Sequence, residues 1–196
     1  MDALDDTLER RRFLIASTAA AGGAILGATA YTFLDSMAPS ARARAAGAPV
    51  EARVDRIEPG ALTVIGWRGM PVWLLHRSPD MVATLAGHDR LLADPGSADS
   101  EQPPYCRNTT RSIRPEMFIA IGICTHLGCS PTLRFGGDTS DLGADWPGGF
   151  LCPCHGSKFD LAGRVFKDVP APTNLVIPPH HYLDEARLVV GEETNT

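Results

Sequence analysis

The apolar residues of this chain follow two different patterns, which meet near residue 50. The run from Phe13 to Leu34 has no charged residue and is dominated by alanine and glycine. At about 1.5 Å per residue it spans about 33 Å as a helix, which matches the hydrocarbon core of a bilayer. The sequence therefore predicts one transmembrane helix at 13–34, ahead of a folded domain.

Beyond residue 50 the apolar runs are short, often alternate with polar residues, and end at glycine or proline. This pattern is typical of strands in an antiparallel sandwich or barrel, so the predicted fold class is all-β. The predicted strands are Val50 to Ile57, Leu62 to Trp67, Val72 to His76, Phe118 to Ile123 and Leu188 to Val190. Ser78 followed by Pro79 predicts a short capped helix, whereas Asp89 to Arg114 and Arg134 to Gly149 are predicted to be exposed and irregular.

The residues on either side of the apolar run indicate an export signal and a tether. Residues 1–12 end in Arg10-Arg11-Arg12, and paired arginines before Phe-Leu are typical of a twin-arginine signal, which carries folded proteins across a membrane. The basic flank places the N-terminus in the cytoplasm. Residues 35–49 are small and broken by two prolines, which predicts a flexible tether to the domain at 50–196.

Charge and composition exclude one class of partner. The chain has 196 residues, a formal net charge of −5 and five cysteines. Because phosphate contacts need clustered basic residues, no nucleic acid partner is expected. Cys106 lies outside any cysteine and histidine cluster and is predicted to be a free, structural thiol.

Two short segments carry the chemistry of the chain. Cys124-Thr125-His126-Leu127-Gly128-Cys129 and Cys152-Pro153-Cys154-His155-Gly156-Ser157 each supply cysteine and histidine at fixed local spacing. Two thiolates and two imidazoles suit a metal centre, and zinc accepts such ligands as readily as an iron–sulfur cluster does. Zinc needs only four of the six candidate ligands, however, and the regular placing of Cys129 and Cys154 favours the cluster.

Both segments resemble the Rieske family residue for residue. The resemblance implies one [2Fe-2S] cluster, with Cys124 and Cys152 on one iron, His126 and His155 on the other, and Ser157 donating a hydrogen bond to it. It also implies a disulfide between Cys129 and Cys154, a Rieske-type antiparallel β sandwich with an inserted cluster-binding subdomain at about 118–165, and a shielding loop at Pro170-Ala171-Pro172. A disulfide in turn implies an oxidising compartment.

The anchor, the tether and Trp67-Arg68-Gly69-Met70-Pro71 resemble the Rieske subunit of bacterial cytochrome bc complexes. This implies a subunit of a quinol:cytochrome c oxidoreductase in the inner membrane, with its cluster domain in the periplasm. The implied partners are cytochrome b, a c-type cytochrome and quinol, in a dimeric complex. His155, or its counterpart His126, is expected to receive the quinol proton, while the isolated chain is an electron carrier.

Two other Rieske proteins are alternatives to this interpretation. The small subunit of an exported molybdenum oxidase, such as arsenite oxidase, shares the export signal and both segments but does not need the Trp-Arg-Gly-x-Pro segment or a mobile tether. A soluble Rieske ferredoxin would lack the anchor, Cys129 and Cys154.

One position departs from the family pattern. Where Rieske subunits have a tyrosine that donates to a ligand thiolate, this chain has Phe159. A lost donor disfavours the reduced, more negative cluster, so the sequence predicts a lower reduction potential than in relatives with tyrosine.

Overall fold

The computed structural model describes residues 2–136, 139–143 and 146–193. The chain divides into two compact units, residues 1–45 and 46–196. Helix α1 (Asp2–Ser36) fills most of the first unit, and its part Thr7–Ser36, with a mean hydropathy of 1.6, is long and apolar enough to cross a membrane. Helix α2 (Ala41–Ala46) lies within the predicted tether. The flexibility of the tether stays a prediction.

The described part of the second unit is built from short antiparallel strands, which confirms the all-β prediction. The strands are β1 (Val50–Arg53), β2 (Leu62–Trp67), β3 (Met70–His76), β4 (Met117–Ile121), β5 (Thr132–Arg134), β6 (Gly149–Leu151), β7 (Lys158–Asp160), β8 (His180–Tyr182) and β9 (Arg187–Val190). They form three sheets in the orders β1-β9-β8, β2-β3-β4 and β5-β6-β7. Helix α3 (Pro79–Ala83) starts at Ser78, whose hydroxyl accepts the Met81 N–H as predicted.

The sheet β2-β3-β4 has a core on each face because strands β3 and β4 are buried on both sides. Side chains alternate along a strand, so Trp73 and Leu75 point to one core and Val72 and Leu74 to the other. The first, here called the ligand-side core, also contains Phe118, Phe150, Phe159, Cys124 and Cys152. The second, here called the base core, is mainly aliphatic and includes Ile119, Leu188 and Val190. Cys124 lies three residues after the end of β4, so this strand fixes where the first cysteine and histidine segment begins.

The prediction of an exposed excursion at residues 89–114 is wrong in one respect. The segment is irregular, with single 3-10 turns at Asp89–Leu91 and Pro104–Cys106. It is nevertheless packed into the domain, and its buried side chains are Leu92, Asp94, Ser97, Ser100, Cys106, Arg111 and Ser112. Polarity suggested exposure, but these polar groups are hydrogen-bonded inside the protein, which is what makes their burial tolerable.

The predicted exposed insertion at 134–149 is only partly described, because residues 137–138 and 144–145 lie outside the described residues. Its described part contains a 3-10 turn at Ser140–Leu142. Trp146 is half-buried, with its ring 5.5 Å from that of Phe166, and its indole N–H donates to the Arg134 carbonyl at 3.1 Å. The end of the insertion therefore packs onto the domain.

Candidate metal centre

The two cysteine and histidine segments fold into loops of the same conformation. In the first, the Cys124 N–H donates to the Cys129 carbonyl at 2.7 Å and the Gly128 N–H to the Cys124 carbonyl at 3.1 Å. In the second, the Cys152 N–H donates to the Ser157 carbonyl at 2.8 Å and the Gly156 N–H donates to the Cys152 carbonyl at 3.0 Å. In both loops the first cysteine is therefore hydrogen-bonded in the same way to the residues four and five positions after it.

Each loop needs its glycine at the same place. Gly128 and Gly156 have φ values of 84° and 75°, in the left-handed region where a side chain is strained. Each glycine closes the turn that begins at a cysteine. A glycine at these two positions, which is visible in the sequence, is what permits both tight turns.

A disulfide between Cys129 and Cys154 joins the two loops, as the family resemblance implied. The Cys152 sulfur lies within 4.8 Å of both disulfide sulfurs. These three sulfurs do not make a metal site, because two of them are bonded to each other. The remaining cysteines of the loops, Cys124 and Cys152, are free.

The two free thiols of the loops are buried and face each other. Cys124 and Cys152 are 2% and 1% exposed. Burial raises the pKa of Cys124, and the neighbouring thiol of Cys152 also acts to raise it. The backbone N–H of His126 and the hydroxyl of Ser157 act in the opposite direction and lower it. A metal that replaced the thiol proton would therefore find a dry, preformed sulfur pair with donors already directed at one sulfur.

The two histidines lie side by side and differ in exposure. The ring centroids of His126 and His155 are 4.9 Å apart, with the rings nearly perpendicular. His155 is exposed, whereas His126 is half-buried and its Nδ1 is buried with no hydrogen-bond partner among the described residues. A buried ring nitrogen without a partner is costly unless something binds it. With the facing thiols, it fits a group that needs two sulfur and two nitrogen ligands.

The segment 170–173, here called the proline segment, is hydrogen-bonded to both loops. The Ala171 N–H donates to Ser157 Oγ at 3.0 Å, and the Thr125 hydroxyl donates to the Thr173 carbonyl at 2.7 Å. Ser157 is fully buried. Its hydroxyl therefore accepts from the proline segment, and the same hydroxyl acts to lower the pKa of Cys124.

Below the second loop, three buried arginines surround the turn at residues 160–164. Arg164 pairs with Asp160 at 2.7 Å. Arg77 donates to the Leu161 carbonyl at 3.1 Å, and Arg111 donates to the Ala162 carbonyl at 3.2 Å. Sequence reasoning missed these residues. The spacing of Asp160 and Arg164 was the one local signal, since the other contacts join residues far apart in the chain.

Arg77 and Arg111 remain charged in spite of burial. Burial lowers the pKa of Arg77 and of Arg111 to about 10. For Asp160, burial acts to raise the pKa of the carboxyl group. The hydrogen bond with His88 and the charge of Arg164 have the larger combined effect, so the pKa is lowered. The turn that follows the second loop is thus held by ionised groups.

Outside the two loops lie Cys106, predicted to be a free structural thiol, and the buried histidines His88 and His180. Cys106 is free and fully buried, and burial raises the pKa of its thiol to about 11. Its sulfur lies 4.0 Å from Nε2 of the buried His180, whose Nδ1 is 2.8 Å from the Pro178 carbonyl. His88 contacts Asp160. These are structural contacts.

Phe159 is fully buried on β7, and its partner in the sheet register is Phe150 on β6. Both rings belong to the ligand-side core, together with Cys124 and Cys152. The effect of this phenylalanine on the potential stays a prediction.

Comparison with known proteins agrees with this geometry. Residues 107–179 match the family described as the Rieske [2Fe-2S] domain, and residues 1–40 match the one described as "Ubiquitinol-cytochrome C reductase Fe-S subunit TAT signal". These matches confirm the expected cofactor type and the twin-arginine signal, and they set the zinc alternative aside.

Relatives cover nearly the whole chain. It is 61% identical over 186 residues to the ubiquinol-cytochrome c reductase iron-sulfur subunit of Allochromatium vinosum, covering 94% of this chain and 89% of the relative. It is 37% identical to the protein of that name from Blastochloris viridis, with 96% and 97% covered. It is also 37% identical to the mitochondrial Rieske subunit of the cytochrome b-c1 complex of Candida albicans, with 91% and 75% covered. The chain therefore belongs to the Rieske iron–sulfur subunits of ubiquinol-cytochrome c reductase.

Proposed function

We propose that this chain is the electron-transfer subunit of a membrane-bound quinol:cytochrome c oxidoreductase. It takes one electron and one proton from quinol and passes the electron to a c-type cytochrome. Its family and the names of its relatives support this function. The observation that carries it is the asymmetry of the site, in which two buried thiols lie behind one exposed and one half-buried imidazole.

The four residues expected to hold the cluster are Cys124, His126, Cys152 and His155. Bound there, a [2Fe-2S] cluster supplies a one-electron acceptor of high potential, since Rieske centres as a class lie at about −150 to +300 mV, far above the about −400 mV of plant-type ferredoxins. Burial of the cysteines keeps water from the sulfur side. The disulfide and the proline segment hold the two loops in a fixed relation.

His155 is the proposed proton acceptor. It is the exposed member of the histidine pair, so a substrate hydroxyl can reach its ring. An imidazole that binds metal through one nitrogen keeps a titratable N–H on the other, and a nearby positive metal makes that proton easier to lose. Deprotonated, the ring accepts a hydrogen bond and then the proton of a quinol. His126, being half-buried, is the less accessible of the two.

The proposed setting is the bacterial inner membrane, with helix α1 as a single-pass anchor and the cluster domain in the periplasm. Cytochrome b would complete the quinol site, and a c-type cytochrome would take the electron, in a dimeric complex. Residues 35–49 would act as a flexible tether between the two positions. In that arrangement the isolated chain is an electron carrier, and catalysis belongs to the assembly.

Electron paramagnetic resonance of the ascorbate-reduced membrane protein tests the ligand set. A rhombic signal of low average g value is expected for mixed nitrogen and sulfur ligation, and its absence would contradict the assignment.

The midpoint potential should fall with pH once the imidazoles ionise, and a potential that is independent of pH would remove His155 as proton acceptor. Purification under mild conditions should bring b- and c-type haem with the chain; molybdenum instead would identify an oxidase of the arsenite oxidase kind.

A further inference from the structure

The proline segment is followed by a fully buried asparagine, Asn174. This residue comes directly after Thr173, whose carbonyl accepts from the first loop, and three residues after Ala171, whose N–H donates to the second loop. Any displacement of Asn174 is therefore transmitted over a few bonds to both contacts of the proline segment.

The amide group of Asn174 uses its hydrogen-bonding capacity in three directions. Its Oδ1 accepts from the Val165 N–H at 2.8 Å, and its Nδ2 donates to the Asp94 carbonyl and to Ser97 Oγ, both at 3.0 Å. Its backbone N–H also donates to Ser100 Oγ at 3.1 Å. A buried amide with every group satisfied defines one position rather than several.

The partners of Asn174 are themselves fixed by a carboxylate. Asp94 accepts from the Ser100 hydroxyl at 2.6 Å and from the N–H groups of Ala98 and Asp99 at 2.7 and 3.2 Å. Burial acts to raise the pKa of Asp94, but these hydrogen bonds outweigh it and lower the pKa, so the side chain is ionised at neutral pH. We call Asp94, Ser97, Ser100 and Asn174 the Asn174 network.

Backbone strain within the network indicates that its geometry is imposed. Ser97 is buried and has a φ of 51°, in the left-handed region that costs energy for a residue with a side chain. It is held there by Asn174 at its hydroxyl and by the Gln102 amide, which donates to its carbonyl at 2.8 Å. Such strain persists only where the surroundings fix the residue from several sides.

We propose that Asn174 is a positioning residue for the cluster site. Through the Asn174 network it holds the proline segment in register with both loops, and so it sets where the Ser157 hydroxyl lies at the cluster site. The proposal rests on the proposed function in one respect, namely that Cys124 is a cluster ligand.

The direction of the effect follows from two opposing consequences of a loosened segment. Loss of the Ala171 donor to Ser157 Oγ weakens the donation of that hydroxyl to the bound cluster, because hydrogen bonds in a chain polarise one another. This disfavours the more negative reduced state and lowers the potential. Water that entered through the loosened segment would raise the potential. This effect is small because the histidine side is already exposed to water, whereas Ser157 is fully buried. The lost donation therefore outweighs the added water.

The test compares Asn174→Ala and the milder Ser97→Ala with a matched control in the full-length, cluster-loaded protein. The control is Asn108→Ala. Asn108 also bridges a loop, with its amide donating to the Tyr105 and Ser112 carbonyls and its Oδ1 accepting from Thr110, but none of its bonds reaches the proline segment. Three quantities are measured: the midpoint potential, hydrogen exchange of the Ala171 N–H, and thermal stability.

In Asn174→Ala, exchange of the Ala171 N–H should become faster by on the order of tenfold or more, and the potential should fall. Ser97→Ala should show the same changes to a smaller extent, and Asn108→Ala should lose stability with neither change. Equal exchange rates and potentials in all variants would overturn the proposal, even if Asn174→Ala were less stable. If Asn174→Ala fails to fold, Ser97→Ala alone decides, by the same two measurements.

The outcome is separable from that of the proposed function. Hydrogen exchange at Ala171 reports on the Asn174 network whatever the ligands of the cluster are. The resonance spectrum of the native protein reports on the ligands. If the native protein gives the spectrum of mixed nitrogen and sulfur ligation while the variants keep the native exchange rate and midpoint potential, only the positioning role is refuted.

Discussion

The two faces of the sheet β2-β3-β4 are stabilised by different kinds of interaction. The base core is mainly aliphatic, with side chains such as Val72, Leu74 and Ile119 from neighbouring strands. The ligand-side core combines aromatic rings with the two cysteines proposed as ligands, and the guanidinium of Arg77 lies 5.3 Å from the Phe118 ring centroid. The base core depends on apolar burial, which tolerates substitutions between apolar side chains of similar volume. The other depends on polar contacts that must all be satisfied.

The length of the strands explains this difference. The three strands on the ligand side, β5, β6 and β7, have three residues each, whereas β3 has seven. Three-residue strands form few ladder hydrogen bonds, so they hold the loops between them less firmly than longer strands would. The ligand side therefore relies on a disulfide, ionised side chains and the Asn174 network. We expect changes of single polar groups to affect the metal site much more than changes of equal cost in the base core.

The largest expected effect is the loss of one ligand. Cys152→Ser should abolish the cluster, because the harder hydroxyl replaces a buried thiolate. Absorbance and the resonance signal of the purified protein would show this. Cys106→Ser is the matched control, since it alters an equally buried cysteine outside the loops. Retention of a full signal in Cys152→Ser would remove that residue from the ligand set.

The next largest effect is expected at the buried arginines. Arg164→Met leaves the carboxylate of Asp160 without its arginine partner, which should lower the free energy of unfolding by about 3–5 kcal/mol. Leu74→Ala in the base core should cost a comparable amount, about 2–5 kcal/mol, through the cavity it creates.

Denaturant unfolding and redox titration of the same two variants test the comparison between the faces. Arg164→Met should also shift the midpoint potential, whereas Leu74→Ala should not. Arg187→Met, at an exposed ion pair with Asp184, serves as a control and should change neither quantity. Equal potentials in Arg164→Met and Leu74→Ala would contradict the distinction.

Acid should weaken the ligand side through its buried carboxylates. The pKa values of Asp94 and Asp160 lie below the ordinary 3.8 in the folded protein. A lowered folded pKa contributes stability in full above the ordinary value, and that contribution is lost as the pH falls through the folded pKa. Unfolding measured between about pH 2 and 6 should thus show a steep loss below about pH 4. Asp160→Asn should flatten this slope, and an unchanged slope would exclude Asp160 as a source.

The smallest expected effect concerns Phe159. Phe159→Tyr should raise the midpoint potential, on the order of 50 mV, if its hydroxyl donates to a ligand sulfur. The ring is fully buried, so a hydroxyl without a partner would instead lower stability. Redox titration together with thermal unfolding distinguishes these results. An unchanged potential would show that phenylalanine at this position does not lower it.

Several features of the fold could be predicted because they depend on neighbours in the chain. The longer strands, such as β2 and β3, are visible as alternating or continuous apolar runs. The Ser78 cap and the two glycine turns are also local. The three-residue strands β5 to β8 were missed, since three residues carry no usable periodicity. Residues 89–114 were expected to be exposed because polarity alone does not reveal a buried hydrogen-bond partner.

The sequence by itself determined which residues are candidates for the metal site. Two cysteines and two histidines lie within two six-residue segments, whose resemblance to the Rieske family also implied the disulfide, and one uninterrupted apolar run predicted the anchor. Only the tertiary structure decided the surroundings of these residues. It buried the cysteines, left His155 exposed, and placed Asn174 against Asp94, 80 residues earlier in the chain. The physical reason is that burial and hydrogen bonding in the site depend on contacts between distant segments, which no local pattern encodes.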